Sequence, residues 1–158
     1  MKLLALVRLA PLALTGTALT ILLAGCSNPV PLEPADDAIN PACAAVSVRL
    51  PDTVAGLDAR ETNAQGTGAW GTPASVLLRC GVPVPAPTAV LPCVTVDGID
   101  WLRDDSGDPN FVFTTYGREP AVEVIVDADA ASGFEALTDL SYAVGFTERV
   151  GECITPGG

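Results

Sequence analysis

One short turn, Asp97-Gly98, constrains the fold of this chain more than any other sequence feature. The pair lies between two runs of alternating apolar residues, 93–96 and 99–102. A two-residue turn of type I′ needs positive φ at both central positions, and Asp-Gly is among the pairs that adopt it most readily. The sequence therefore predicts a β-hairpin across residues 93–102, with its strands in register about the turn.

Other stretches predict the elements around this hairpin. Residues 111–115 and 121–126 alternate apolar and other side chains, which predicts two half-buried strands. Residues 75–80 predict an apolar strand buried on both faces, because Val76, Leu77 and Leu78 are consecutive. Asn40 and Pro41 supply an N-cap and a first-turn proline for a helix over residues 41–50. We therefore expect an α+β fold, with a small antiparallel sheet of about four or five strands and two helices packed on it.

The second helix is predicted near the end of the chain. Ser132 and Glu135 have the spacing of a capping box, and Gly145 is placed to end the helix. Its apolar stripe consists of Phe134, Leu137, Leu140 and Val144. Between the two helices, Trp70 is interpreted as a core residue of the sheet, the alternative being a surface on which a ligand stacks.

The N-terminus is typical of an export signal. Lys2 and Arg8 precede an apolar run over residues 9–23, which is followed by Leu23-Ala24-Gly25-Cys26. This resembles the signal peptide of a bacterial lipoprotein, in which the cysteine is lipidated and becomes the first residue. The alternative is an uncleaved membrane helix, but proline, glycine and threonine interrupt the run. We expect a signal peptide over residues 1–25 and a diacylglyceryl anchor on Cys26 at the extracytoplasmic face of the cell membrane.

The mature chain is predicted to consist of a tether and one domain. Residues 26–39 contain three prolines and three acidic residues without an apolar period, which favours a semi-rigid, extended segment. Fully extended, this segment would hold the domain up to about 40 Å from the membrane. Residues 40–158 have the length of a single domain.

Four cysteines remain in the mature chain: Cys43, Cys80, Cys93 and Cys153. An even number in an exported domain indicates two disulfides, for which three pairings exist. We expect Cys80–Cys93, which would close the proline-rich segment between them, and Cys43–Cys153, which would tie the first helix to the C-terminus. The alternative is four free thiols.

Composition excludes several classes of function. The chain has a net charge of −11 at pH 7, so we expect no nucleic-acid partner. It has no histidine, and Lys2, within the leader, is its only lysine. These absences exclude Ser-His-Asp and Cys-His catalysis, histidine zinc sites, and Schiff-base or P-loop chemistry, and no cofactor is expected.

The best candidate for a ligand or partner site is the turn from Tyr116 to Pro120. Arg118 can clamp a carboxylate or phosphate while Tyr116 stacks on the same ligand. Asp100, Trp101 and Glu123 are expected nearby. The alternative is a structural turn in which Arg118 pairs with one of the two carboxylates.

Acidic residues allow two further interpretations. The loop over residues 104–110 could hold Ca²⁺, but the EF-hand spacing is absent and a solvated turn is the better interpretation. Asp100 and Glu123 could act as acid and base on a glycan if they lay about 5–10 Å apart. With 19 acidic residues in the chain, accidental pairs of carboxylates are common.

Three segments together resemble a known family: Leu78-Arg79-Cys80-Gly81-Val82-Pro83, Cys93-x-x-Val96-x-Gly98-x-Asp100-Trp101 and Phe113-Thr114-Thr115-Tyr116-Gly117-Arg118-x-Pro120-Ala121-Val122-Glu123-Val124. They are similar to an actinobacterial envelope lipoprotein family of unknown function, domain-of-unknown-function family 3515. The resemblance implies an exported lipoprotein with one small domain and no assigned activity. We expect a non-catalytic binding or assembly module with an envelope protein or glycan as partner. The alternative is a small carboxylate-dependent envelope enzyme acting on glycans.

Overall fold

The structure, a computed structural model, describes residues 28–154. The helices are α1 (Pro41–Ser47) and α2 (Gly133–Val144). The strands are β1 (Thr53–Val54), β2 (Leu57–Arg60), β3 (Thr67–Trp70), β4 (Val76–Val82), β5 (Cys93–Val96), β6 (Ile99–Gly107), β7 (Asn110–Thr115), β8 (Arg118–Glu119), β9 (Ala121–Asp127) and β10 (Glu148–Arg149). No helix within the described range is long and apolar enough to cross a membrane.

The predicted fold class is wrong, because the domain is mostly β. Eight strands form one antiparallel sheet in the order β1-β2-β3-β4-β9-β7-β6-β5, and β8 and β10 form a second sheet of two strands. The five strands expected from the sequence are present, as β4, β5, β6, β7 and β9. The prediction missed β1, β2 and β3 because they are short and lack an alternating apolar pattern. In β2 the four residues are all exposed or half-buried, so no hydrophobic period marks the strand.

Both helices pack on one face of the large sheet. Helix α2 contacts the two edge strands, β1 and β5, as well as the central strand β9, so the sheet curls around this helix. The backbone N–H of Ala55, in the β1–β2 turn, donates to the Asp139 carboxylate of α2 at 2.8 Å. The core lies between this concave face and the helices, where Leu137 and Leu140 pack with Val122 and Val124.

Local sequence signals are confirmed where they are strong. Asp97 and Gly98 have φ of 47° and 77°, and the hairpin pairs Val96 with Ile99 as the type I′ turn requires. At α2, the Ser132 side chain accepts a hydrogen bond from the N–H of Glu135. Trp70 is buried, as expected, and its ring N–H donates to the Pro51 carbonyl at 3.0 Å.

The presence of two disulfides is confirmed, but the expected pairing is wrong. The bonds are Cys43–Cys80 and Cys93–Cys153. Cys80 is fully buried on the concave face of β4, opposite Cys43 of α1, whereas Cys93 is exposed on edge strand β5. Because Cys80 faces the core and Cys93 lies on the surface, the two sulfurs cannot meet. The first bond joins α1 to the sheet, and the second joins β5 to the C-terminal segment.

The segment predicted to be a tether lies against the domain from Val30 onward. Val30 forms a parallel bridge with Thr62, and the N–H of Asp37 donates to the Gly81 carbonyl at 3.1 Å. Ala38 is buried beside this contact. Gly81 has a φ of +93°, and a Cβ there would collide with the backbone of Asp37, so the close approach requires glycine. The arm over residues 30–38 is therefore part of the folded unit.

Candidate functional site

The turn that the sequence indicated as a ligand site binds the C-terminal segment of its own chain. The Gly117 carbonyl accepts hydrogen bonds from the N–H groups of Val150 and Gly151, at 2.8 and 3.1 Å. Gly117 has a φ of +65°, and a Cβ there would collide with Gly151. Strand β8 pairs with β10 beside this contact. The turn is therefore occupied internally by residues 147–153.

Arg118 binds this C-terminal segment through its side chain. Arg118 is 9% exposed, and its Nη1 donates a hydrogen bond to the Thr147 carbonyl at 2.9 Å. Burial lowers the pKa of Arg118, and the charge of Arg149 lowers it further, while Asp100 acts in the opposite direction. The three salt bridges found in residues 28–154 do not include Arg118. The alternative of a structural pair with a carboxylate is thus replaced by a bond to the backbone.

The two carboxylates considered for glycan chemistry are held by different partners. Asp100 accepts from the Thr95 hydroxyl at 2.6 Å and from the N–H of Cys153 at 2.9 Å. Glu123 accepts from the Nε and Nη2 of Arg79 at 2.9 and 2.7 Å. The strand register separates their α-carbons by roughly 12 Å, that is, two strand spacings and two residues along β6. The structure does not bring them together as an acid–base pair.

The remaining predicted site residues have different positions. Trp101 is fully buried in the core, and its ring N–H has no hydrogen-bond partner among the described residues. Tyr116 is half-buried and lines a small groove of about 160 Å³ with the Cys93–Cys153 disulfide. Cys26, the expected lipidation site, lies outside the described residues.

The acidic loop does not gather ligands for a metal. Hydrogen bonds from the hydroxyl and the backbone N–H of Ser106 lower the pKa of Asp104. Asp105 pairs with Arg103 at 3.0 Å. In the stretch from residue 28 to residue 154, no group of three or more acidic or cysteine side chains is placed to hold a metal ion.

A groove that the sequence did not indicate lies between edge strand β5 and the first two turns of α2. It has a volume of about 320 Å³ and mostly apolar walls. Such a volume and lining are typical of a small binding site. The groove is lined by Val94, Thr95, Val96, Arg103, Phe111, Phe113, Gly133, Phe134 and Leu137.

Phe134 and Arg103 are the two most distinctive side chains of this β5–α2 groove. Phe134 is 68% exposed at the rim, although the sequence placed it in the buried stripe of α2. Arg103 lies over the Phe111 ring, with its guanidinium carbon 4.9 Å from the ring centroid. The Nε of Arg103 is buried and has no hydrogen-bond partner among the described residues. The groove therefore presents an exposed aromatic ring beside apolar walls.

The groove escaped sequence analysis because it depends on the sheet order. The alternation of Val94 and Val96 was recognised, but only the topology makes β5 an edge strand beside α2. Gly133 lets α2 approach closely, since a Cβ there would lie 3.0 Å from the Phe113 ring. In the sequence, Gly133 directly before Phe134 was the one local sign of this close approach between α2 and the sheet.

The fold and the groove define a class: a mainly β domain, closed by two disulfides, with an apolar groove beside an edge strand. The model of a protein family matches residues 9–151, and the chain belongs to that family, DUF3515, described as a protein of unknown function. Comparison with curated proteins and with solved structures gave no match.

Proposed function

We propose that this protein is an exported, lipid-anchored protein of the cell envelope that acts as a non-catalytic binding or assembly module. All four cysteines that follow Cys26 form disulfides, which supports an oxidising compartment outside the cytoplasm. The leader pattern up to Cys26 supports lipidation at that residue and a position at the extracytoplasmic face of the membrane.

The arm modifies how such an anchor would hold the domain. Because the arm is docked from Val30, and Arg60 donates to the Asn28 carbonyl at 3.3 Å, little free chain separates Cys26 from the domain. Two residues span at most about 7 Å. An anchored domain would therefore sit close to the membrane, with the Asn28 end facing it, instead of about 40 Å away as a free polyproline tether would allow.

The single observation that carries the binding function is the β5–α2 groove. The apolar walls of the groove are already formed without a ligand. Phe134 at the rim is exposed, which leaves its apolar ring in unfavourable contact with water. Asp100 and Glu123, by contrast, are engaged with separate partners, and neither lines this groove. These contacts favour binding over carboxylate catalysis.

The test compares two exposed aromatic residues of the same helix. Phe134→Ala removes the rim of the groove, and Tyr142→Ala, 71% exposed on α2 and outside the groove, is the matched control. Each variant is expressed with its native leader, crosslinked in the intact envelope and purified. We expect crosslinked partners of the wild-type protein to be lost with Phe134→Ala and kept with Tyr142→Ala, at similar melting temperatures. Mass spectrometry of the same material should find diacylglyceryl on Cys26.

Partners that persist with Phe134→Ala would contradict the assignment of this groove. An intact, unmodified N-terminus in the mass spectrum would contradict the anchor.

A further inference from the structure

The groove lies beside an open strand edge. Strand β5 is the last strand of the eight-stranded sheet and pairs only with β6 in that sheet. The N–H of Arg103 donates to the Pro92 carbonyl at 2.9 Å, so residues at even positions of this segment direct their backbone groups toward β6. The N–H and C=O groups of Cys93 and Thr95 therefore point away from the sheet. No described residue forms a hydrogen bond with these four groups.

The edge and the groove fit one kind of occupant. Val94 and Val96 face the groove, while the outward backbone of Thr95 runs along its length. An extended peptide added to β5 would bond to this backbone, and every second side chain would enter the apolar space in front of α2.

Charge specifies the partner further. Asp97 follows β5, Glu135 lies in the first turn of α2, and Asp105 neutralises Arg103, the one cation among the groove-lining residues. Asp97 and Glu135 are the chain neighbours of the groove-lining Val96 and Phe134, so the surface beside the groove is acidic, and the whole chain has a net charge of −11. A second copy would be repelled, whereas a segment with lysine or arginine beside its apolar residues would be attracted.

We propose that the β5–α2 groove binds an extended segment of a partner protein, which adds to β5 as a further strand. The segment carries apolar side chains at alternate positions and basic residues at its ends. This inference rests on the proposed binding function and names the chemistry of its partner.

The test uses a synthetic peptide of alternating valine and threonine with lysines at both ends, titrated by calorimetry into the folded domain. Thr95→Pro removes the outward N–H without touching the β5–β6 hydrogen bonds. Thr95→Val is the matched control, since both variants lose the hydroxyl bond to Asp100 but only proline loses the donor. We expect Thr95→Pro to weaken binding by up to about tenfold, as loss of one hydrogen bond implies, and Thr95→Val to leave it nearly unchanged.

Two peptide controls act on the unaltered protein and need no variant to fold. A peptide with N-methyl groups on one backbone edge, and a peptide with glutamate in place of lysine, should both bind more weakly than the parent. Binding of the parent peptide should decrease as salt increases.

The outcomes separate this inference from the proposed function. Equal binding by the proline and valine variants, together with a loss in Phe134→Ala, would overturn strand addition and leave groove binding intact. A dimer of the protein itself that Thr95→Pro abolishes would overturn the partner assignment. Full binding by both Phe134→Ala and Thr95→Pro would overturn both proposals.

Discussion

Replacing Arg118 tests whether the turn from Tyr116 to Pro120 is structural or binds a ligand. Arg118→Ala removes a hydrogen bond from a charged donor to the Thr147 carbonyl, which contributes about 1.5–3 kcal/mol. It also removes two buried methylene groups, at about 0.8 kcal/mol each. Release of the buried charge offsets part of this loss, since burial disfavours the charged form. We expect a net destabilisation of about 3 kcal/mol.

Arg118→Met separates the two contributions. The methionine keeps most of the aliphatic volume and removes the charge, so only the bond to Thr147 is lost and the burial penalty is relieved. We expect a destabilisation of about 1–2 kcal/mol. Arg149→Ala is the control, because Arg149 is exposed, pairs with the exposed Glu152 and repels Arg118. Its effect should stay within about 0.5 kcal/mol.

The assay is chemical denaturation of the purified domain with its disulfides intact, at several pH values. The pKa of Arg118 is lowered in the folded state, so its burial penalty is complete below the folded pKa and disappears only above the higher pKa of the unfolded chain. The differences between variants should therefore be constant from about pH 6 to about pH 9. Equal stability of Arg118→Ala and Arg149→Ala, with loss of a partner in the former alone, would refute the structural interpretation.

Two further predictions concern covalent and backbone contacts. Replacing Cys43 and Cys80 together by alanine should cost about 4 kcal/mol in the loop-entropy model for a separation of 37 residues, measured by denaturation; peptides that link Cys80 to Cys93 in a non-reducing digest would contradict the pairing. Gly81→Ala should destabilise the domain by about 2–4 kcal/mol, because its φ is +93° and the added Cβ meets the arm. Faster amide exchange at Asp37 should accompany this loss, and unchanged exchange there would show that the arm does not depend on Gly81.

The sequence was sufficient where a few neighbouring residues determine the structure. Asp97-Gly98 specified its turn, and Ser132 specified the start of α2, because the signals and the contacts are local. It was insufficient for the sheet order, in which β9 inserts between β4 and β7. This order brings together strands far apart in the chain, and their separate apolar patterns do not encode it.

The candidate site shows the same limit. Tyr116 and Arg118 were singled out for the chemistry of their side chains. In the structure, the backbone N–H of Tyr116 donates to the Asp100 carbonyl, and the Arg118 side chain donates to the carbonyl of Thr147, in a C-terminal segment without a predicted strand pattern. Phe134 was assigned to the core by its helical spacing, yet α2 leaves it exposed at the groove. The type of a residue indicates which ligands its side chain can bind. Whether that side chain is exposed depends on which distant segment covers it, and the local sequence does not contain this information.

The two edges of the large sheet differ in a way that favours a partner for β5. Strand β1 has only two residues, and its turn is fixed to α2 through Ala55 and Asp139. Strand β5 has four residues, and its outward backbone groups at Thr95 bond to no described residue. The unpaired N–H and C=O groups of an edge strand can pair with another chain, and natural proteins usually prevent this with charged residues or proline on the edge. Here Asp97 and Pro92 flank the strand and leave its centre open, which restricts access to segments that fit the groove and carry positive charge.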